Sequence, residues 1–574
     1  MITQRRFDLE LAQQLGEALN SDVLGRIYAA RGVAPDQLSS PLSALARPET
    51  MQGMSAAVEL LIAALTAQSR LVIVADFDVD GATSCALLMR GLRALGFTQV
   101  EYLVPNRFDD GYGLTPNIAE QVAQRGCDLL ITVDNGITSN SGVERAHQLD
   151  MQVLITDHHL PSPVLPAADA IIDPNLDTCD FPSKALAGVG VAFYLLLALR
   201  SALRQQGWFE ASQTTVPNMA QWIDLVALGT VADVAQLDYN NRILVTQGLQ
   251  RIRSGLAQAG VQALLEVGGR DPQTVVAADL GFAVGPRLNA AGRLEDMSVG
   301  IECLLTDSPA RAAELAQQLD ELNRQRRQIE GDMKRQAFEL LDKTGIDSDA
   351  GRFAATLYHP DWHQGVIGIL ASRIKGRLHR PVVAFATADQ GLLKGSARSI
   401  DGVHIRDQLA EISRLHPEML KSFGGHAMAA GLTIEEADLA QFSMLLDQQV
   451  EVTLKGVASG EQYLSDGGLS ASEFTLELVT QLRNAGPWGA GFEEPCFEGE
   501  FELVETRTVG DNHLKMKLRW PGESQTVDAI AFSQADTCNA RVGERVKLIY
   551  RSQINEWRGN LSAEFMVERV FELN

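Results

Sequence analysis

Acidic residues and histidines follow three apolar runs of this sequence, each time where the run ends. Leu71–Ala75 is followed by Asp76, Asp78 and Asp80, Leu129–Val133 by Asp134, and Val153–Thr156 by Asp157, His158 and His159. Uninterrupted apolar runs predict strands buried on both faces, as in a parallel α/β sheet. Ligands bind at the carboxyl ends of such strands. The pattern therefore predicts one site built from three strand ends.

These residue types indicate a centre for divalent cations. Carboxylates this close together would repel one another without cations, and a mixed Asp and His set without Cys favours Mn²⁺ or Mg²⁺ over structural zinc. If the segment after the first strand stays extended, Asp78 and Asp80 point the same way, roughly 6–7 Å apart. They can then reach two metals about 3.5–4 Å apart. Gly81 would let the chain turn into a helix near Ala82. We expect two-metal hydrolysis of phosphoester bonds.

The site must be held by one of several domains, because 574 residues exceed what a single hydrophobic core supports. We predict a helical N-terminal segment (1–50), the metal-binding parallel-sheet α/β domain (51–305), a connector helix (306–345), a smaller α/β domain (346–457) and a final domain (458–574). From about Leu476, short alternating runs between Gly, Pro, Asn and Asp predict an all-β barrel or sandwich.

The connector has the pattern of one long helix. Apolar residues recur at steps of three and four between Ser308 and Lys343, and neither Pro nor Gly interrupts Ala310–Glu330. A helix of ~34 residues would span ~50 Å, which suits a link between two lobes. Arg324, Arg326 and Arg327 are expected on a solvated face, and a role near DNA is the alternative.

Composition limits the partners and the compartment. The formal net charge of -24 repels polyanions at long range, so a nucleic acid would need a local basic channel. The 6 cysteines form no CxxC pair, which is typical of a reducing compartment. No apolar run of about 18 residues and no N-terminal signal pattern occurs. We expect a cytoplasmic protein.

The motifs resemble those of a known family. DFDVDG (76–81), VDNG (133–136) and DHH (157–159) resemble the DHH phosphoesterase superfamily. GTVADV around Asp233, GPRLNAAGR (285–293), KGSARS (394–399) and GGHAMAAG (424–431) follow in order. The last resembles the glycine-rich signature of the associated DHHA1 domain. With the β-rich tail, the set resembles the bacterial single-strand-specific 5′→3′ DNA exonucleases of that superfamily, from about Val58 to the C-terminus.

The resemblance implies roles for the acids and histidines. One metal would be held by Asp76, Asp78 and Asp134, and the other by Asp80, Asp134, His158 and Asp233, with Asp134 bridging. The implied catalytic residues are His159, Asp157 and Asp80. Asp157 would orient the ring of His158. His159 would face the scissile phosphate, as an electrostatic stabiliser or as a proton donor to the leaving 3′ oxygen.

The resemblance also implies where the strand binds. Ser396, Arg398 and Arg107 are candidates for a pocket that captures a 5′-phosphate. Gly424, Gly425 and His426 would offer N–H groups to a phosphate, and Arg287, Asn289 and Arg293 would line the same passage. The tail would be an OB-fold, a common single-strand binder. Its candidate strand contacts are Trp520, Phe532, Tyr550, Trp557, Lys515, Lys517, Arg519, Lys547 and Arg551, and several of these aromatic residues are expected to belong to the core instead.

The implied activity is hydrolysis of single-stranded DNA to 5′-mononucleotides in recombinational and mismatch repair, near the nucleoid. Single-stranded-DNA-binding protein and a helicase of the recombination pathway would be partners. The alternative is a DHH-family phosphoesterase acting on oligoribonucleotides, cyclic dinucleotides or polyphosphate, although such relatives usually lack the long β-rich tail. An inactive replication scaffold is disfavoured because every expected metal ligand is present.

Overall fold

The computed structural model describes residues 2–106, 110–344, 351–455, 462–510, 512–535, 538 and 540–572. The chain divides into two compact units. The first contains Met1–Asn289, Met297–Gln317 and Gly460–Asn574, and the second contains Ala290–Asp296 and Gln318–Ser459.

The first unit begins with β1 (Ile2–Gln4), α1 (Leu9–Leu19) and α2 (Asp22–Ala30). Asp8 and Ser21 start the two helices, because each side chain accepts a backbone N–H that a helix start leaves open. Val23, Leu24 and Ile27 of α2 are buried in the core of the C-terminal barrel. The N-terminal segment therefore folds together with the far end of the chain.

The sheet of the metal-binding domain contains β2 (Leu71–Ala75), β3 (Val100–Leu103), β4 (Leu129–Val133), β5 (Gln152–Thr156) and β6 (Ala170–Ile172). All neighbours pair in parallel, in the order β3-β2-β4-β5-β6. Every residue of β2 and β4 is buried, as expected for strands covered on both faces. The three strands that precede the acids are where the sequence predicts them; β6 was not predicted.

The helices of this domain are α3 (Met54–Ala67), α4 (Val79–Ala94), α5 (Pro116–Ala123), α6 (Asn140–Gln148), α7 (Gly188–Gln205), α8 (Trp208–Ser212), α9 (Ile223–Ala232), α10 (Tyr239–Arg253), α11 (Ala259–Val267), α12 (Ala277–Asp279), α13 (Gly285–Leu294) and α14 (Ser298–Leu305). A π-helical turn, Leu280–Val284, joins α12 to α13. Among the described residues no single helix has the length and apolarity to cross a membrane, and one pair bent by 86°, Leu42–Thr50 with Met54–Ala67, meets those criteria jointly.

The predicted connector is a single helix, α15 (Pro309–Thr344), which begins in the first unit and ends in the second. Its 36 residues span about 54 Å. The expectation that Arg326 is solvated is wrong. This side chain is buried because Glu330, one turn away, lies 2.6 Å from its Nη1, and Asn323 accepts from its Nε and Nη2.

The second unit carries β7 (Ala355–Tyr358), α16 (Ile367–Leu378), β8 (Val382–Thr387), β9 (Leu392–Arg398), α17 (Ile405–Leu415), β10 (Ser422–Gly425), β11 (Ala429–Glu435) and α18 (Leu439–Leu454). The strand order is β10-β11-β9-β8-β7, and β7 and β8 pair in parallel while the other pairs are antiparallel. The glycine-rich motif at 424–431 belongs mostly to the paired strands β10 and β11.

The tail contains β12 (Tyr463–Ser465), α19 (Leu476–Asn484), β13 (Phe497–Val509), β14 (His513–Arg519), β15 (Thr526–Ala531), β16 (Arg545–Trp557) and β17 (Asn560–Glu572). The last five strands close a barrel in the order β13-β14-β15-β17-β16. The prediction of an all-β region from about Leu476 is wrong at α19. There Thr475 caps a helix that buries Leu478, Val479 and Leu482. The predicted fold class is confirmed.

Candidate metal centre

The carboxyl ends of β2, β4 and β5 meet at one edge of the sheet. The strands pair directly, with Ala75 opposite Val133 and Val133 opposite Thr156. The next residues along the chain are Asp76, Asp134 and Asp157. Within the described residues, three groups each place one ligand atom per residue within 4.8 Å of the others: Asp76, Asp78 and Asp134; Asp80, His158 and Asp233; and Asp134, His158 and His159.

The first group depends on the start of α4. Asp78 is the N-cap, and its Oδ1 accepts the backbone N–H of Asp80 at 2.9 Å and of Gly81 at 3.1 Å. The expectation of an extended segment that turns at Gly81 is therefore wrong, since the helix already begins at Val79. Gly81 has a different reason. A Cβ there would lie 2.4 Å from the carbonyl oxygen of Asp76, so glycine permits the close approach of helix and strand.

The second group depends on two other helix ends. The carboxylate of Asp80 accepts the N–H of Gly188 at 2.6 Å and of Val189 at 2.9 Å, at the start of α7. A helix N-terminus stabilises a negative charge placed there. Asp233 is the C-cap of α9, and its Oδ2 lies 4.0 Å from Nδ1 of His158. Asp78 and Asp80 thus belong to different ligand groups, as predicted. The start of α4 separates them, and not the extended segment that the sequence suggested.

Asp134 has the geometry of a residue held for a cation. Its backbone is left-handed, with φ 60°, and its Oδ1 lies 3.0 Å from Nε2 of His158. Both atoms are buried without a hydrogen-bond partner among the described residues. Buried polar atoms normally have a hydrogen-bond partner. A carboxylate oxygen and an imidazole nitrogen that face each other without one, among further carboxylates, are suited to bind a divalent cation. The structure brings together all six predicted metal ligands; their binding of metal stays a prediction.

Asp157 contacts the histidine that sequence reasoning did not assign to it. Its Oδ1 lies 2.8 Å from Nδ1 of His159 and accepts the backbone N–H of His158 and His159. Its Oδ2 accepts the N–H of Ile137. The expectation that Asp157 orients the ring of His158 is therefore wrong, because the strand end turns the ring of His159 toward it. Asn175 instead fixes His158, by donating to its backbone carbonyl.

The electrostatics of the site favour bound cations. Burial, and then the Asp78 carboxylate, raise the pKa of Asp80 to about 7. Burial, and then Asp80 and Asp78, raise the pKa of Asp233 to about 8. The pKa of Asp134 is raised for the same reasons. Three neighbouring carboxylates that resist ionisation together are expected where cations balance the charge.

The two histidines differ in charge. Burial and the neighbouring His159 lower the pKa of His158 to about 4, so the ring is neutral and can bind a metal. Burial also opposes the charge on His159. The hydrogen bond and charge of Asp157, together with the charges of Asp76 and Asp233, outweigh it and raise the pKa of His159 to about 9.

Sequence reasoning missed two residues at this site. Asp173 follows β6 and is fully buried, and burial raises its pKa to about 8. The short run AII before it is the signal that could have revealed a fourth strand end. Tyr112 donates from its hydroxyl to the carbonyl of Asp134 at 3.3 Å, and its ring lies edge-on to His159. No spacing in the sequence relates Tyr112 to that strand.

In the second unit, the candidates for phosphate binding lie on neighbouring strands. Ser396 and Gly424 both pair with Gly431, and Nη1 of Arg398 donates to Oγ of Ser396 at 3.1 Å. A Cβ on Gly368, in the first turn of α16, would lie 2.8 Å from Nη2 of Arg398. The arginine therefore rests against the start of a helix. Gly425 ends β10, and His426 donates its backbone N–H to Ala429 in the turn that follows.

The remaining predicted substrate contacts are scattered. Arg287 is buried, and its guanidinium donates to the carbonyls of Ala283 and Val267. Asn289 lies two residues further along α13. Arg293 donates to the carbonyl of Gly365 within the second unit. Arg107 lies outside the described residues.

The barrel changes the expectation for strand contacts. Trp520 and Tyr550 are buried in its core, so they are wrong as stacking candidates. Phe532 is exposed, whereas the side chain of Trp557 lies outside the described residues. Four of the five predicted basic contacts, Lys515, Arg519, Lys547 and Arg551, lie within 4 Å of glutamate side chains of the tail.

Comparisons with known proteins place the chain. Three family models match it in order: the DHH family N-terminal domain at 70–230, the DHHA1 domain at 351–452 and the RecJ OB domain at 465–569. A single-stranded-DNA-specific exonuclease RecJ of Salmonella typhimurium is 50% identical over 553 residues, 96% of each chain. The crystal structure of RecJ with Mn²⁺ from Thermus thermophilus aligns with a TM-score of 0.82 at 29% identity, covering 100% of this chain and 79% of that one. The structure of RecJ with Mg²⁺ from the same organism aligns at 0.76 and 28%, covering 100% and 78%. The chain belongs to the RecJ family.

Proposed function

We propose that this protein is a metal-dependent 5′→3′ exonuclease that degrades single-stranded DNA to 5′-mononucleotides. The observation that carries the proposal is the set of carboxylates and histidines gathered at three strand ends and at the end of α9. Family membership supports it, because relatives across nearly the whole chain are named as single-stranded-DNA-specific exonucleases. Each predicted domain would have its own task. The metal-binding domain (51–305) would hydrolyse the strand, the smaller α/β domain (346–457) would bind its 5′ end, and the tail (458–574) would bind the strand further along, with 306–345 as the connector.

Two Mn²⁺ or Mg²⁺ ions fit the donor set. Asp76, Asp78 and Asp134 would hold one, and Asp80, Asp134, His158 and Asp233 the other. All donors are carboxylate oxygens or imidazole nitrogens, which suit these ions better than thiolate-seeking metals. When bound, such a pair activates water and stabilises the attacking and leaving oxygens of an in-line displacement.

His159 is the candidate that protonates the leaving 3′ oxygen. Asp157 holds Nδ1 of the ring, so the proton would come from Nε2. A pKa of about 9 keeps the ring protonated at neutral pH in the metal-free protein. The bond between phosphorus and the 3′ oxygen breaks, and that oxygen takes the proton. The water oxygen joins the phosphate, which stays on the 5′ oxygen of the next nucleotide, and the water proton passes to solvent. Asp80, held by the N–H groups at the start of α7, would be a ligand of the second ion.

Each turnover thus regenerates a 5′-phosphate, and the second unit supplies groups for it. Ser396 and Arg398 would bind its oxygens beside the start of α16, where open backbone N–H groups attract anions. Gly424, Gly425 and His426 would bind the next phosphate from the neighbouring strands. The candidates for contacts along the rest of the strand remain Arg107, Arg287, Asn289 and Arg293. The guanidinium of Arg287 already donates to the carbonyls of Ala283 and Val267, which favours a role in positioning the backbone over a direct contact with DNA.

The proposed substrate determines the partners and the location. Single strands in cells are coated by single-stranded-DNA-binding protein, and duplex must be opened by a helicase before a single-strand nuclease can act. Both are proposed partners in recombinational and mismatch repair. The protein would work in the cytoplasm at the nucleoid, where that DNA lies.

The test compares four substrates with purified protein and Mn²⁺: a 5′-labelled single strand, a 3′-labelled single strand, a duplex and a short RNA. Early release of labelled mononucleotide from the 5′-labelled strand alone is expected. Preference for RNA dimers would instead make the protein a small-substrate phosphoesterase, and inertness on all four would make it a scaffold. Replacing Arg398 with Gln should weaken the preference for a 5′-phosphorylated end; an unchanged preference would remove it from the pocket.

A further inference from the structure

Two exposed apolar side chains lie at the end of α9, which carries Asp233, and have no role in the chemistry above. Val234 directly follows Asp233 and is 69% exposed, and Phe282 is 77% exposed on the π-helical turn. Large apolar side chains on a surface are normal when scattered. These two instead share one support, the last turn of α9, which ends at the metal-ligand candidate Asp233.

Val234 has a left-handed backbone conformation that valine rarely adopts. Its φ is 60°, and a β-branched residue in the left-handed region is strained. The turn is a helix end in which the N–H of Ala235 binds the carbonyl of Thr230 and that of Val234 binds Val231. Glycine is the usual residue at such a position. Strain of this kind is found at functional sites, and the valine side chain occupies this position at a local energetic cost.

Phe282 is held against the same turn of α9. A Cβ on Gly281 would lie 3.3 Å from Cγ1 of Val231, and one on Gly285 would lie 3.6 Å from Cβ of Ala232. The π-helical turn therefore lies in contact with α9 on both sides of Phe282, and it is tightest at Gly281. The buried guanidinium of Arg287 donates to the carbonyl of Ala283 at 2.6 Å and so stabilises the turn. π-Helical turns occur frequently at functional sites.

We propose that Val234 and Phe282 form an apolar platform on which bases of the single strand rest while the phosphate occupies the metal centre. A metal centre and arginines contact only the backbone of a strand, whereas an aromatic ring stacks on any base. This platform would separate a nucleic acid from polyphosphate, which has no base to place there. The inference rests on the proposed function and specifies how that site selects its substrate.

The test measures binding of a 5′-phosphorylated single strand in EDTA, by fluorescence anisotropy, for Phe282→Ala and Val234→Gly. Loss of one stacked base should weaken binding about 5-fold or more for Phe282→Ala. Val234→Gly should bind more weakly while its melting temperature stays equal or rises, because glycine relieves the backbone strain. The matched controls are Leu9→Ala, at the same 77% exposure, and Gln213→Gly, at φ 55°; both should bind as the unaltered protein does.

A second strand whose first residues at the 5′ end are abasic isolates the contact with bases. On that strand, Phe282→Ala and Val234→Gly should bind no more weakly than the unaltered protein. Equal weakening on both strands, or no weakening on either, would overturn the platform. These outcomes differ from failure of the proposed function, in which the unaltered protein releases no nucleotide from any single strand with Mn²⁺.

Discussion

Asp134 combines two demands at one residue, since it belongs to two ligand groups and its backbone is left-handed. Alanine there would add backbone strain, whereas asparagine tolerates this conformation. We expect Asp134→Asn to fold normally and to lose more than about 100-fold in nucleotide release, because the shared carboxylate charge is gone. Single-turnover cleavage at saturating Mn²⁺ and the Mn²⁺ affinity measure the effect.

Asp150→Asn is the matched control, because Asp150 is also left-handed at φ 60° but is exposed away from the cluster. It should retain full activity and Mn²⁺ affinity. Retention of near-normal cleavage by Asp134→Asn would contradict the assignment of Asp134 as the shared ligand.

The raised pKa values predict how pH acts on the metal-free protein. For Asp80, Asp233 and Asp173 the folded state keeps its proton up to pH about 7 to 8, whereas the unfolded chain releases it near 4. Between about pH 4 and these values the folded state binds more protons than the unfolded chain, so the free energy of unfolding falls as the pH rises. His158, lowered to about 4, acts oppositely between pH 4 and 6.5. Above 6.5 only the falling contributions remain, joined by His159 up to about 9.

We therefore expect the melting temperature of the metal-free protein to fall between pH 6.5 and 9. Mn²⁺ should raise the melting temperature more at pH 8 than at pH 6.5, because binding requires ionised carboxylates. Scanning calorimetry in EDTA and in Mn²⁺ measures both. Asp233→Asn should flatten the fall in EDTA; a melting temperature independent of pH in this window would contradict the prediction.

At the scale of elements, the strands that carry the site were predictable and their local turns were not. The runs before Asp76, Asp134 and Asp157 are long enough to indicate buried strands, and parallel strands necessarily gather their carboxyl ends. Asp173 was missed because its strand has three residues. The ring partner of Asp157 depends on a turn of two residues, which periodicity does not describe. The barrel was predicted by alternation, whereas the buried state of Trp520 and Tyr550 depends on which face closes inward.

The start of α16 gives a prediction at this scale. Gly368 leaves the space in which Arg398 lies, since a Cβ would come within 2.8 Å of Nη2 and 3.0 Å of Oγ of Ser396. Gly368→Ala should displace the guanidinium and reduce the preference for a 5′-phosphorylated over a 5′-hydroxyl strand about 10-fold, since a charge-assisted hydrogen bond contributes roughly 1.5–3 kcal/mol. Competition between the two strands measures this preference.

Gly376→Ala is the control, because this glycine lies in the same helix and a Cβ there meets nothing within 4 Å. Alanine also favours a helix more than glycine does, so this variant should be at least as stable and equally selective. An unchanged preference in Gly368→Ala would place the 5′-phosphate elsewhere.

At the scale of the molecule, the N-terminal segment connects the tail to the metal-binding domain within the first unit. β1 pairs with β12, and the hydroxyl of Tyr28 donates to the carbonyl of Ala485. On the other side, Tyr239 and Gln247 of α10 donate to the carbonyls of Ser39 and Ser40. The sequence indicated only helices here, because contacts between distant segments leave no periodic signal.

One buried ion pair lies at the centre of this connection. Arg31 donates to both oxygens of Asp466 at 2.8 and 3.0 Å, and their side chains are 2% and 1% exposed. Asp466→Asn leaves the arginine charge buried without its carboxylate, which costs about 3–5 kcal/mol. Because Val23, Leu24 and Ile27 belong to the barrel core, the loss should appear as an earlier melting transition of the tail and faster amide exchange in both α2 and β12.

Glu120→Gln breaks the exposed pair between Glu120 and Arg145 and should change stability by less than about 1 kcal/mol. If the tail carries the strand, Asp466→Asn should also bind long single strands more weakly while cleaving oligonucleotides too short to reach the barrel at an unchanged rate. Equal effects on long and short strands would mean that the ion pair supports the metal-binding domain itself. No effect on exchange in α2 would mean that the N-terminal segment is held by its contacts with α10 rather than by Asp466.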